Sequence, residues 1–173
     1  YPCEEAEVTV TDADGHHIHY KTIQDAFDLE NGGTIQLFNN GPINATLPAG
    51  KSFTLTSDPN GAGRIEGGAR KITGGELTVY GNLTIRDVDC TGFRIVTWKN
   101  RGATVTIGVN VTMRDATGGA IWMAAGNTLN VDTQGSYIYD NKTVVGGNEM
   151  QYNVILENDQ ILVLKKPLYT GKI

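Results

Sequence analysis

A chain of 173 residues fits one domain, and its net charge of −5 argues against nucleic acid or an anionic membrane surface as partner. Gly supplies 22 residues, well above the usual ~7%, which suits a fold made of many tight turns. No apolar run approaches the ~18 residues of a spanning helix, so no membrane insertion is expected.

The chain opens on Tyr1-Pro2, which is not a natural start, and it is expected to be a mature or excised piece of something longer. Cys3 and Cys90 cannot make a metal site alone; they permit one disulfide or two free, buried thiols. Val8-Thr9-Val10-Thr11 alternates and predicts a strand, Asp12-Ala13-Asp14-Gly15 a turn, and His16 to Tyr20 a returning strand. Thr22 predicts a helix start. Ile23, Ala26, Phe27 and Leu29 are expected to cover the end of the core, with Asp25 and Asp28 near the positive end of the dipole. Gly32-Gly33 reads as the stop, so the predicted helix spans residues 22–31. Thr34-Ile35-Gln36-Leu37 predicts the next strand.

From Gly75 to Asn141 the sequence repeats itself. Leu77-Thr78-Val79 followed by Leu83-Thr84-Ile85-Arg86-Asp87 is matched by Val105-Thr106-Ile107 followed by Val111-Thr112-Met113-Arg114-Asp115. Leu129-Asn130-Val131 followed by Tyr137-Ile138-Tyr139-Asp140 is a degenerate third copy. Each copy alternates apolar and polar residues between Gly, Asn or Asp, which is strand chemistry broken by turns. A period of roughly 22–28 residues implies stacked units that bury their apolar rows against one another.

The repeat predicts three inward columns. The first is Ile35/Leu37, Phe53/Leu55, Leu77/Val79, Val105/Ile107 and Leu129/Val131, with Ile107 resting between Val79 and Val131. The second is Ile43, Ile65, Ile85, Met113 and Ile138. The third is Ile72, Ile95 and Ile121. The expected fold class is all-β: a right-handed parallel β-helix with an N-terminal capping helix. Residues 1–33 form the N-terminal cap, residues 34–149 the rungs, and residues 150–173 a C-terminal hairpin, Val154-Ile155-Leu156 against Ile161-Leu162-Val163-Leu164, that closes the stack. The three segments form one domain.

Tyr20-Lys21-Thr22-Ile23-Gln24-Asp25-Ala26-Phe27 and Gly33-Thr34-Ile35-Gln36-Leu37 resemble the opening of pectate-lyase-like β-helix proteins. Gly74-Gly75-Glu76-Leu77-Thr78-Val79-Tyr80-Gly81-Asn82-Leu83-Thr84-Ile85 is similar to rungs of large secreted or wall-attached proteins of Gram-positive gut bacteria, as is the segment from Asn153 onward. The resemblance implies an extracellular, cell-surface or secreted module. This superfamily hosts lyases, hydrolases, adhesins and tailspikes, so the fold alone does not name an activity.

His16, His17 and His19 are the only histidines; His17 and His19 share a strand face that suits a metal, but no second cluster completes a site. Asp12, Asp14 and Gly15 match the start of a calcium loop whose remaining ligands are missing. No metal or cofactor is expected. For an enzyme of this resemblance the carboxylates and bases to inspect are Arg86, Asp87, Asp89, Arg94, Arg114, Asp115 and Asp140. Arg86-Asp87 and Arg114-Asp115 are expected at the same place in successive turns, as a charge ladder.

Asn44, Asn82, Asn110 and Asn141 begin Asn-x-Ser/Thr sequons. Thr54/Thr56 and Thr104/Thr106 hint at the threonine face of ice-binding β-helices, but the expected intervening turn offers only Thr78 and breaks the ladder.

Trp98, Trp122, Tyr137 and Tyr139 are the large aromatics of the repeat and the candidate binding residues: exposed together they form a stacking platform or contact patch, and buried at strand ends they are ordinary packing. The expected function is a non-catalytic binding or adhesion module that contacts a host protein or glycan. The alternatives are a carbohydrate-active enzyme acting on an acidic polysaccharide and a structural spacer.

Overall fold

The computed structural model describes residues 8–58, 69–132, 135–157 and 162–164. In chain order, β1 (Val8–Thr11) and β2 (His17–Tyr20) lead into α1 (Ile23–Leu29), the single helix among the described residues. β3 (Gly32–Leu37), β4 (Gly41–Leu47), β5 (Ser52–Thr56), β6 (Arg70–Val79) and β7 (Asn82–Arg86) follow. Next come β8 (Val88–Thr91), β9 (Phe93–Thr97), β10 (Thr104–Ile107), β11 (Val111–Arg114) and β12 (Ile121–Met123). The chain continues through β13 (Thr128–Val131), β14 (Tyr137–Tyr139), β15 (Lys142–Val145), β16 (Asn148–Gln151), β17 (Val154–Leu156) and β18 (Leu162–Leu164).

The fold is all-β, and its parallel strands wind as a nearly closed spiral. One sheet stacks β3, β5, β7, β10, β13 and β18, every neighbour parallel. The second sheet has two legs. β4, β6, β9, β12 and β17 stack along one leg. The first residues of β6 stack with β8, β11 and β14 along the other. Here β6 runs unbroken through a corner that later turns divide between two strands. It does so at Gly75, where φ is +94° and an added Cβ would lie 2.0 Å from the Ile43 carbonyl oxygen. Only a residue without a side chain passes there.

The core lies between the sheets because the strands from β7 to β14 alternate, and apolar side chains at one parity leave water together. Ile35, Leu55, Ile85, Ile107 and Val131 stack in register, each almost fully buried. This corrects the expected first column. Ile107 rests between Ile85 and Val131, and Leu77 and Val79 belong to the second sheet, between β4 and β9. The cause is the length of β6. It carries Leu77-Thr78-Val79 around the corner on one strand, so that Leu83-Thr84-Ile85 is the true equivalent of Val105-Thr106-Ile107.

The other columns shift accordingly. Met113 stacks between Cys90 and Ile138, while Ile95 stacks between Leu77 and Ile121, and Ile72 lies beside Cys90. The expected places of Cys3, Ile65 and residues 165–173 lie outside the described residues.

At the first turn, β1 pairs antiparallel with β3 and β2 with β1, so the predicted hairpin forms and extends the first sheet. Thr22 Oγ1 accepts from the Asp25 N–H at 3.1 Å, and Ile23, Ala26 and Phe27 are buried. The Phe27 and Phe53 ring centroids are 5.1 Å apart. Lys51 Nζ donates to the carbonyls of Phe27 at 2.5 Å and Asp28 at 2.9 Å, satisfying orphan acceptors at the helix C-terminus.

The helix is shorter than residues 22–31, and Leu29 is 71% exposed and covers nothing. Gly32 and Gly33 sit inside β3 and are not the stop. Gly33 serves the sheet junction: its φ is +135°, and an added Cβ would lie 2.4 Å from the Thr11 carbonyl oxygen.

The expected C-terminal hairpin is also corrected. β17 runs parallel to β12 and β18 parallel to β13, in different sheets, so both continue the spiral. The late antiparallel hairpin is β15 with β16, turned at Gly146-Gly147, where both φ values are positive. That is the glycine chemistry a two-residue hairpin turn requires.

Candidate binding face

The alternation that buries Phe93, Ile95 and Thr97 turns Arg94, Val96 and Trp98 outward. Across the ladder, Trp122 stands opposite Val96 and Ile155 opposite Trp122. Trp98 follows Val96 by two residues, just past the end of β9, so the alternation turns it toward the same outer side as Trp122. Trp98 is 58% and Trp122 38% exposed.

The face is held by a carboxylate from the following turn. The Trp122 indole N–H donates to Glu157 Oε1 at 3.3 Å, and Glu157 Oε2 accepts from the Ala125 N–H at 3.1 Å. Lys99 Nζ lies 3.9 Å from the same carboxylate. The Ala125 N–H, then the Trp122 indole and the Lys99 charge, outweigh desolvation and hold Glu157 below its ordinary value. Farther along the face Arg94 pairs with Glu76 at 3.1 Å and donates to the carbonyls of Gly118 and Gly119. Two indoles with a rim of fixed charges offer an apolar platform and directional hydrogen-bonding groups together.

Tyr137 and Tyr139 lie on the other leg of the second sheet, opposite Thr112 and Arg114. Tyr137 is exposed and Tyr139 half-buried. The four aromatics are thus two pairs on two legs. Val96, Ile155 and Glu157 belong to the indole face and were not singled out from the sequence. The alternation through Trp98 marks Val96; Glu157 comes from a later turn and leaves no local signal.

The charged residues divide between corners, Asp87 at one and Asp115, Asp140, Lys142 and Glu149 lining a cleft at another. Asp87 is buried at the corner after β7, 2.9 Å from Arg86 Nη1, and accepts from Asn110 Nδ2 at 3.0 Å. Asp115 stands at the corner after β11, paired with Arg114 at 2.8 Å. Arg86-Asp87 and Arg114-Asp115 therefore occupy different corners, and the expected ladder does not form. Asp140 is the stacked equivalent of Asp115 at the end of β14; both adopt positive φ, as does Gly92 one turn earlier.

Among the described residues one group of metal-competent donors converges: Asp12, Asp14 and His16, with donor atoms within 4.8 Å of one another. The turn itself uses these groups. Asp12 Oδ1 accepts from the N–H groups of Asp14 and His16, both at 2.9 Å, and Oδ2 lies 3.2 Å from His16 Nδ1. His17 and His19 are engaged with Thr11 and Thr9 across the hairpin.

Asn141 begins a sequon yet is fully buried. Its Nδ2 donates to the carbonyls of Met113 and Tyr139, and its Oδ1 accepts from the Ala116 N–H. Its side chain is a corner clamp. Cys90 is buried, and burial followed by the Asp89 charge pushes its thiol far up.

No protein-family model matches the chain, and neither a curated protein nor a solved structure matches it.

Proposed function

We propose that the chain is a right-handed parallel β-helix acting as a non-catalytic binding module of a secreted or wall-attached bacterial protein. It contacts a host glycan or protein through the face that carries Trp98 and Trp122. The hand follows from the general rule that parallel strands joined within one sheet cross over right-handed in about 98% of cases.

The observation that carries the functional reading is the pair of exposed indoles on one face, with Trp122 oriented by Glu157. Exposed indoles cost free energy to keep in water, and fixing one lowers the entropy lost when a ligand covers it. A pyranose ring stacks on such a surface, and buried Trp and Arg dominate protein interfaces in the same way. Arg94, Glu76 and Lys99 supply orienting polar contacts at the rim. Tyr137 and Tyr139 form a second, weaker contact area on the adjoining leg.

The test is a combined glycan and host-protein array probed with the parent chain, Trp98→Ala/Trp122→Ala and Tyr137→Ala/Tyr139→Ala. The indole pair should abolish the parent's hits and the tyrosine pair weaken them. Hits that persist unchanged in the indole double variant would overturn the reading.

A further inference from the structure

The outward face of the first sheet holds a different pattern. β3, β5, β7 and β10 pair without any register shift, which places Thr34, Thr54, Thr84 and Thr106 directly opposite one another in a single row. Two positions earlier, Ser52, Asn82, Thr104 and Thr128 form a second row across β5, β7, β10 and β13. The ladder expected to break at Thr78 is continuous, because β7 and not the end of β6 occupies that turn and supplies Thr84.

Neighbouring strands stand roughly 4.8 Å apart and alternate residues of one strand roughly 6.6 Å apart, so the two rows form a rectangular grid of side-chain oxygens. The two rows contain no charged and no aromatic residue. Among the described residues no hydrogen bond takes up the hydroxyls of Thr34, Thr54, Thr84, Thr104 or Thr128. These oxygens reach solvent, since among the described residues the only buried side-chain oxygen without a partner is Asp89 Oδ1.

A flexible ligand gains little here. Each hydroxyl bond exchanged with water nets only about 1 kcal/mol, and a flat face without ring or pocket does not repay the ordering of a mobile chain. A surface whose oxygens are already fixed in a repeat of the same scale loses no such freedom, and its small gains add over every rung. Crystalline ice presents oxygens in such a two-dimensional repeat and needs no charge to be recognised. We propose that this face binds the surface of ice, the hydroxyl grid and its threonine methyl groups holding a water layer in register with the crystal. This site is separate from the indole face and does not depend on it.

The test is slow freezing of the protein onto a cold finger, with the ratio of protein in ice to protein in liquid read by tryptophan absorbance. The parent chain should be enriched in the ice. Thr84→Lys, in the middle of the grid, should fall to the ratio of an inert protein, and Thr112→Lys, with the same charge on the other sheet, should keep the parent's ratio. Each variant is first checked by thermal melting, and Thr54→Lys replaces Thr84→Lys if the latter unfolds. Exclusion of the parent from ice overturns the proposal, and so does an equal loss in Thr112→Lys.

Discussion

The side-chain amide of Gln24 grips the main chain of Thr46 at both of its polar groups. The Thr46 N–H donates to Oε1 at 2.8 Å and the Thr46 carbonyl accepts from Nε2 at 3.0 Å. An amide side chain thus stands in for a neighbouring strand on the outer side of β4, where no described strand pairs. An open parallel edge recruits other chains, and here one helical residue occupies part of it.

Replacing Gln24 by Ala should therefore cost about 1–3 kcal/mol through two unsatisfied backbone groups, and should raise the tendency to associate. Denaturant unfolding and light scattering read the two effects. A variant as stable and as monomeric as the parent would mean that water serves Thr46 equally well.

Phe27 fills the same end of the core. It is fully buried against Phe53, so Phe27→Ala should cost about 3–5 kcal/mol. Leu29→Ala, on the exposed side of the same helix, should change stability by no more than about 0.5 kcal/mol. Equal melting temperatures for the two variants would show that the helix does not seal the stack.

Register can be tested covalently. In a Cys3→Ser background, cysteines placed at Thr84 and Thr106 should oxidise to a disulfide, since directly opposed strand positions fall within its geometric reach. Cysteines at Thr78 and Thr106 should not, because those residues lie in different sheets. Non-reducing electrophoresis after proteolysis separates the outcomes, and a crosslink in the second pair alone would restore the register expected from the sequence.

The Trp122 site should respond to acid. Glu157 is held below its ordinary value of 4.5, so its contribution is complete above that value and is lost as pH falls through the lowered folded value. In a Trp98→Phe background, Trp122 fluorescence should titrate with a midpoint below 4.5, and Glu157→Gln should remove the transition. A midpoint at or above 4.5 would contradict the hydrogen bonds assigned to this carboxylate.

What could be read from the sequence was local. The Thr22 cap and the Ile23, Ala26 and Phe27 face depend on neighbours within one helical turn, and both are found. Alternation also told which side chains point inward: Ile107, Met113 and Ile95 are all buried. It could not tell which sheet an inward residue joins. Leu77-Thr78-Val79 and Leu83-Thr84-Ile85 present the same pattern on either side of Tyr80-Gly81, and only the extended passage of β6 past Gly75 decides between them. The candidate aromatics could be picked out by size, and the outward parity of Trp98 and Trp122 by alternation. Their division from Tyr137 and Tyr139, and the part played by Glu157, arise from stacking of distant segments and have no local signature.

The β15–β16 hairpin is pinched at its base. The Tyr152 N–H donates to the Asn141 carbonyl at 2.7 Å, and Asn153 Oδ1 accepts from the Asn141 N–H, so the spiral passes from residue 141 to residue 152 as though little lay between them. The main chain of Lys142 still pairs with Ala116 and Gly118, and the winding is indifferent to what is written beyond it in the excursion. Such a joint lets a lineage exchange, lengthen or delete the protruding segment while inheriting the coil unchanged, and it gives an engineer a place to graft a foreign loop.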